Sequence, residues 1–339
     1  MKKISIVTIL AVLFSFIQLT AQQSISDEYA LGIRVDGLYD YVDAFTSPRL
    51  EGRRMGTRGG QLAAEYIENE LLLIGLKKPY SDGYMQSFKV KDKRGVNVLG
   101  MIEGTALKDE VVVLMAHYDY IGRSAEGIIY PGAEDNASGV AALLEIAKAF
   151  QKAKKKGIEP VRTILFAFFD GNKSDLAGAT YYINNPLFTS DKTVLAINVD
   201  MVGRSDGYAE GHNDYVFVLG TDRISSEPRS VVDSLNNASI QMTVDYSFYK
   251  SKSVFDLFYP MSDHYVFEKK IIPVLYFTSG ITGDIHSVGD VSSKFYFPSF
   301  MRRTRLIFQT TWYYAMQGVW PQLDLYGPQH GAHRKAKRF

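Results

Sequence analysis

Five runs in this chain are apolar along most of their length, without polar alternation: VVVLMAH, RTILFAFF, VLAINV, YVFVLG and PVLYFT. A strand with no polar alternation has to be covered on both of its faces, which a mainly parallel sheet between helices achieves. The segments between the runs supply those helices. Apolar residues recur at helical spacing from Thr57 to Gly75, through Leu62, Ala63, Tyr66, Ile67, Leu71 and Ile74, and helices are expected at Ala137 to Gln151, Asp175 to Asn184, Ser225 to Asn237 and Phe295 to Gln317. Two shorter strands are expected near Tyr84 to Val90 and Val96 to Ile102. The fold class is therefore α/β, with a twisted, mainly parallel central sheet flanked by helices. In such sheets ligands bind beyond the carboxyl ends of the strands.

Composition narrows the function. Lys and Arg number 38 against 37 Asp and Glu, so no long-range field steers the chain to nucleic acid or an anionic membrane. The basic residues at the end, Arg334, Lys335, Lys337 and Arg338, belong to a tail from 330 to 339 that is expected to be solvated and without fixed structure. The start reads as an export signal over residues 1–21: Lys2 and Lys3, the apolar run ISIVTILAVLFSFIQL, and small Ala21 at the cut. The expected mature chain begins near Gln22, with its main domain over 22–329, a periplasmic or extracellular destination and no stable membrane insertion after cleavage. Nothing in the sequence specifies a protein partner. The chain has no Cys, which removes disulfides, thiol catalysis and Cys-ligated zinc. Any metal must be held by His and carboxylates.

Such residues gather at the strand exits. His117 and Asp119 follow the first apolar run, Asp135 lies in PGAEDNASG just before a helix, Asp200 ends AINVD, and His286 follows PVLYFT in GDIHSVGD. Neutral imidazole and carboxylate suit Zn²⁺. Asp119, two residues from His117, is placed to hydrogen-bond the second imidazole nitrogen and fix the tautomer. The aromatic stretch Tyr246, Phe248, Tyr249, Phe255, Phe258 and Tyr259 suits either a cleft wall or core packing. His212, His330 and His333 read as surface residues.

The ordered set HYD, GAEDNASGVAALLE, NVDMVG, SDH and IHSVGD, with LEGRRMGTRGGQLAAEYIENELLLIGLKKP upstream, resembles the M28 zinc aminopeptidases over roughly residues 38–318. The resemblance implies a zinc-dependent exopeptidase-like fold and paired metals that polarise a scissile carbonyl while a glutamate moves the proton. It implies one metal on His117, Asp135 and Asp200, with Asp135 bridging to a second metal that His286 also holds. The family's paired glutamates, base and ligand, fall in a pattern like GEExGLxGS; here the segment reads GNKSDLAGA, with Asn172 at the base position and Lys173 at the ligand position. An amide cannot accept and return a proton at neutral pH, and an ammonium offers no lone pair to a metal. The Lys173 ammonium is expected to stand in for the second metal, pairing with Asp135 and facing His286. Asp170 and Asp175 are the nearby carboxylates that could rescue the site, Asp175 reading equally well as a helix N-cap. Related folds that cyclise glutaminyl ends rely on the equivalents of Asp135, the Lys173 position and His286, a set broken here. The expectation is an exported metallopeptidase-like protein with one zinc or none and with strongly reduced or absent peptidase activity, taking peptide N-termini or a small peptide-like ligand. The alternatives are an active one-metal aminopeptidase with an unconventional base, and a non-catalytic binding protein.

Overall fold

The computed structural model describes residues 24–207 and 213–326. The export signal, the basic tail, His212, His330 and His333 lie outside the described residues. Eight strands form one sheet in the order β1-β2-β4-β3-β5-β8-β6-β7: β1 Met85–Val90, β2 Lys93–Ile102, β3 Leu107–His117, β4 Arg162–Phe169, β5 Thr193–Val199, β6 Tyr215–Leu219, β7 Thr243–Asp245 and β8 Val274–Thr278. The central four, β4-β3-β5-β8, run parallel. The flanks depart from that pattern: β1 and β2 pair as a hairpin, β2 runs antiparallel to β4, and β6 runs antiparallel to β8. The hairpin closes with Val90 opposite Lys93, and Lys91 takes φ 54° at the turn. The three-residue strand β7 is too short and too polar for periodicity to reveal.

Continuous apolar strands feed two cores at once, as their sequence requires. Val112, Leu114 and Ala116 of β3 join Ile164, Phe166 and Phe168 of β4 in the larger core, with residues of helices Val35–Thr46, Arg58–Ile74, Ser138–Lys155 and Phe297–Met316. Their alternates Val113, Met115, Leu165, Ala167 and Phe169 face the opposite side, against Ala179 and Tyr182 of helix Ala177–Asn184 and Phe267 of helix His264–Glu268. Gly75 ends helix Arg58–Ile74 at φ 87°, a conformation open to glycine without steric cost. Asp175 does not cap the helix after β4: that helix begins at Ala177 behind Leu176, with no side-chain cap. Phe248 and Tyr259 are buried with Tyr215, Phe217 and Tyr276, and Tyr249, Phe255 and Phe258 pack on that cluster, so much of the aromatic stretch is core.

Candidate metal centre

His117 is the last residue of β3, and its fully buried ring is held at Nδ1. Nδ1 lies 3.1 Å from the main-chain carbonyl of Asp119, an acceptor that places the proton on Nδ1 and leaves Nε2 as the metal-facing atom. The partner is thus the carbonyl; the Asp119 carboxylate sits farther off, at 3.5 Å. That carboxylate has another task. It accepts the backbone N–H groups of Asn172 at 2.9 Å and Lys173 at 3.2 Å, fixing the turn after β4.

Asp135 and Asp200 reach His117 from two other segments. His117 Nε2 lies 3.1 Å from Asp135 Oδ1 and 3.4 Å from Asp200 Oδ1. Asn136 holds the two loops together: its side chain donates to Val199 O and accepts the N–H groups of Gly139 and Met201. The approach is close enough that a Cβ on Gly139 would meet Val199 O at 2.3 Å. Asp290 accepts the N–H groups of Glu134 and Asp135, and the buried Glu134 carboxyl accepts those of Gly203 and Arg204 and the Ser279 hydroxyl. Ser262 of the SDH motif donates to Asp200 Oδ2 at 2.6 Å and accepts from Asn198. Arg53, fully buried, donates to the carbonyls of Phe45, Tyr118, Pro131 and Gly132, tying the upstream segment to the loops beside His117 and Asp135. Burial pushes its pKa down to about 10, with the nearby carboxylates of Asp290 and Asp135 opposing the fall. Arg53, Glu134, Asn136 and Asp290 are positioning residues that single-sequence reading passed over. The only trace of them was their presence inside the motif strings.

Lys173 crosses the mouth of this cluster. Its Nζ lies 2.9 Å from Asp135 Oδ1 and 2.8 Å from Oδ2, and 6.0 Å from the centre of the Tyr120 ring. His286, half exposed, approaches the same carboxylate, with Nε2 3.4 Å from Asp135 Oδ2. Burial disfavours the Lys173 charge, but the carboxylates of Asp135 and Asp200 outweigh it and hold its pKa above the usual lysine value. Burial and the Lys173 ammonium work against the His117 cation, yet the carboxylate of Asp200, with those of Asp119 and Asp135, holds its pKa well above the ordinary histidine value. Asn172 is buried, and so is Asp263, whose pKa burial raises to about 7. Asp170 points elsewhere: its Oδ2 accepts the Val96 N–H, which leaves it no part in the cluster.

The donor set suits a metal. His117, Asp135 and Asp200 offer atoms that all lie within 4.8 Å of one another, and Nε2 of His117 and Oδ1 of Asp200 are buried without a hydrogen bond. One imidazole and two carboxylates match a zinc site with an open position. The Lys173 ammonium lies against both oxygens of Asp135 beside this set. Among the described residues no other group of this kind assembles.

A family model described as Peptidase family M28 matches residues 97–311. A protein named probable zinc metalloprotease, from Pyrenophora teres f. teres (strain 0-1), is 36% identical over 131 residues, which are 37% of this chain and 27% of that protein. The chain thus spans about a quarter of the length of that relative. Among solved structures, the Legionella pneumophila LapA aminopeptidase superposes with a TM-score of 0.66 at 17% identity, covering 87% of this chain and 75% of that one. The Bacteroides thetaiotaomicron glutaminyl cyclase bound to N-acetylhistamine superposes at 0.62 with 16% identity, covering 83% and 98%. At those identities the structures speak for a shared fold.

Proposed function

The chain belongs to peptidase family M28, and on that premise we propose that it is an exported member holding one zinc ion or none, with strongly reduced or no peptidase activity, whose cleft binds peptide N-termini or a small peptide-like ligand. His117, Asp135 and Asp200 would hold the ion. Zinc bound there would act as a Lewis acid toward a carbonyl oxygen. The chain's own residues do the rest. The Asp119 carbonyl holds the imidazole tautomer, Ser262 holds Asp200, and Asp290 holds the backbone at Asp135.

The observation that carries the reading is the ion pair between Lys173 Nζ and both oxygens of Asp135. It supports the ammonium as a replacement for a second ion, because it satisfies the same buried carboxylate with one positive charge. Asn172 beside it has an amide where a proton carrier is needed, and an amide does not titrate near neutrality.

The test is elemental analysis of the purified mature protein, followed on the same sample by a panel of aminoacyl chromogenic substrates. One zinc or none, without turnover, is the expected result. Two zincs with turnover overturns the proposal.

A further inference from the structure

Helices Arg58–Ile74 and Ser138–Lys155 both start on the side of the metal cluster and run away from it. The second begins three residues after Asp135, and its 18 residues carry its far end about 27 Å from the site. The first begins beside Arg54 and ends at Gly75, whose carbonyl accepts from Gln151 of the second helix at 3.0 Å. The two far ends therefore meet at the pole opposite the cleft.

That pole has an unusual surface. Leu72 is 56% exposed and Leu73 77% exposed, two adjacent leucines at a helix tip with nothing packed over them. Beside them a groove of about 360 Å³ is lined by Leu73, Lys152 and Lys155, and also by Glu70, which accepts from the Tyr41 hydroxyl, and by Lys148, which pairs with Glu145. Those two lysines and the exposed Lys156 enter no ion pair among the described residues. Lysines at a helix end are ordinary, since they complement the dipole. Exposed paired leucines beside them are not explained that way, because a solvated helix end gains nothing from apolar tips.

We propose that this pole docks on an anionic lipid surface. Leu72 and Leu73 would enter the boundary between headgroups and acyl chains, while Lys152, Lys155 and Lys156 lay their methylene stems along it and set their ammonium groups among the phosphates. Adjacent residues on a helix diverge by about 100°. The two leucines therefore form a blunt protruding tip, which suits insertion into a fluid interface better than the lining of a slot for a peptide. No helix among the described residues is long and apolar enough to cross a membrane, and the proposed contact is a peripheral one. Docked this way, the molecule holds its cleft away from the bilayer, open to solvent.

The test is co-sedimentation of the mature protein with vesicles of phosphatidylglycerol and phosphatidylcholine, compared with pure phosphatidylcholine. Binding to the mixed vesicles is expected, about tenfold or more above the neutral ones, and weakening with salt. The variants Leu72→Ser/Leu73→Ser and Lys152→Glu/Lys155→Glu/Lys156→Glu should each reduce it about tenfold or more, with zinc content and melting temperature unchanged. Equal binding to both vesicle types, no binding, or binding that neither variant alters overturns the proposal. So does capture of a polyglutamate peptide by the same lysines without vesicle binding, which would assign the surface to acidic protein segments.

Discussion

Lys173 Nζ lies 2.8 and 2.9 Å from the two oxygens of Asp135, so a single ammonium straddles a carboxylate that His117 and His286 approach from other sides. Burial of Asp135 is tolerable only with such company. Burial alone would favour the neutral acid, but Lys173 and the two histidines hold its pKa well below the ordinary carboxylate value.

Replacing Lys173 with Met removes the ammonium that pairs with both oxygens of Asp135. In metal-free protein the expected loss of stability is about 2–3 kcal/mol, toward the low end for a broken buried pair because the lysine is partly exposed. Zinc should restore part of it. The shift in melting temperature on adding zinc should accordingly be larger for Lys173→Met than for the parent, and equal shifts would show that Lys173 does not compensate this site.

The double change Asn172→Glu/Lys173→Glu puts a carboxylate at each of the two positions where the family resemblance places a proton carrier and a second ligand. If the cleft is otherwise intact, aminoacyl hydrolysis should rise about 10²- to 10⁴-fold, the usual contribution of a positioned general base. Zinc content should rise by one equivalent in the same sample. A second zinc without turnover would locate the defect in the substrate cleft.

The two roles around His117 separate by mutation. His117→Ala removes a ligand and should weaken zinc binding by more than the roughly 10–100-fold typical of losing an outer hydrogen-bond partner. Asp119→Ala keeps the carbonyl that orients the imidazole, so zinc affinity should change far less. It should instead destabilise the protein by about 1–3 kcal/mol, because the N–H groups of Asn172 and Lys173 lose their acceptor. Competition titration with a chromogenic chelator, paired with denaturant melts, reads both effects.

Arg53→Ala leaves four carbonyls without their donor in a buried position. The expected cost is about 3–5 kcal/mol, with a lower denaturant midpoint and slackened loops at Tyr118 and Gly132. Arg53→Lys should recover little of it, since one ammonium cannot reproduce the spread of the planar guanidinium. A midpoint within experimental error of the parent would remove Arg53 from the list of positioning residues.

His264 supplies a pH dependence apart from the ligands. Its ring is fully buried, stacked on Tyr276 and edge-on to Tyr259, and burial pushes its pKa down to about 3 against a slight opposing pull from Asp200. The unfolded chain takes up a proton near pH 6.5 that the folded core refuses. Stability is therefore level with respect to this group above pH 6.5 and falls as pH drops from there toward 3, by about 1.4 kcal/mol per unit. Melts of the parent and His264→Gln between pH 7 and 5 should show a shallower decline in the variant.

By itself the sequence determined the central strands and the longer helices between them, the two-sided burial of those strands, and the placing of His117, Asp135, Asp200 and His286 in the segments that follow them. Those are local properties: hydrophobic period and chain order are written residue by residue. It also marked Asn172 and Lys173 as departures, because a charge or an amide at a motif position is a matter of identity. Only the tertiary structure decided that β2 and β6 run antiparallel to their inner neighbours, that the Asp119 carbonyl rather than its carboxylate holds His117, and that Asp170 turns away to Val96. It alone revealed Arg53, Asn136 and Asp290 as the struts between loops far apart in the chain. The physical reason is that a hydrogen bond is decided over a few tenths of an ångström, and that distance depends on how distant elements pack, which no local pattern encodes.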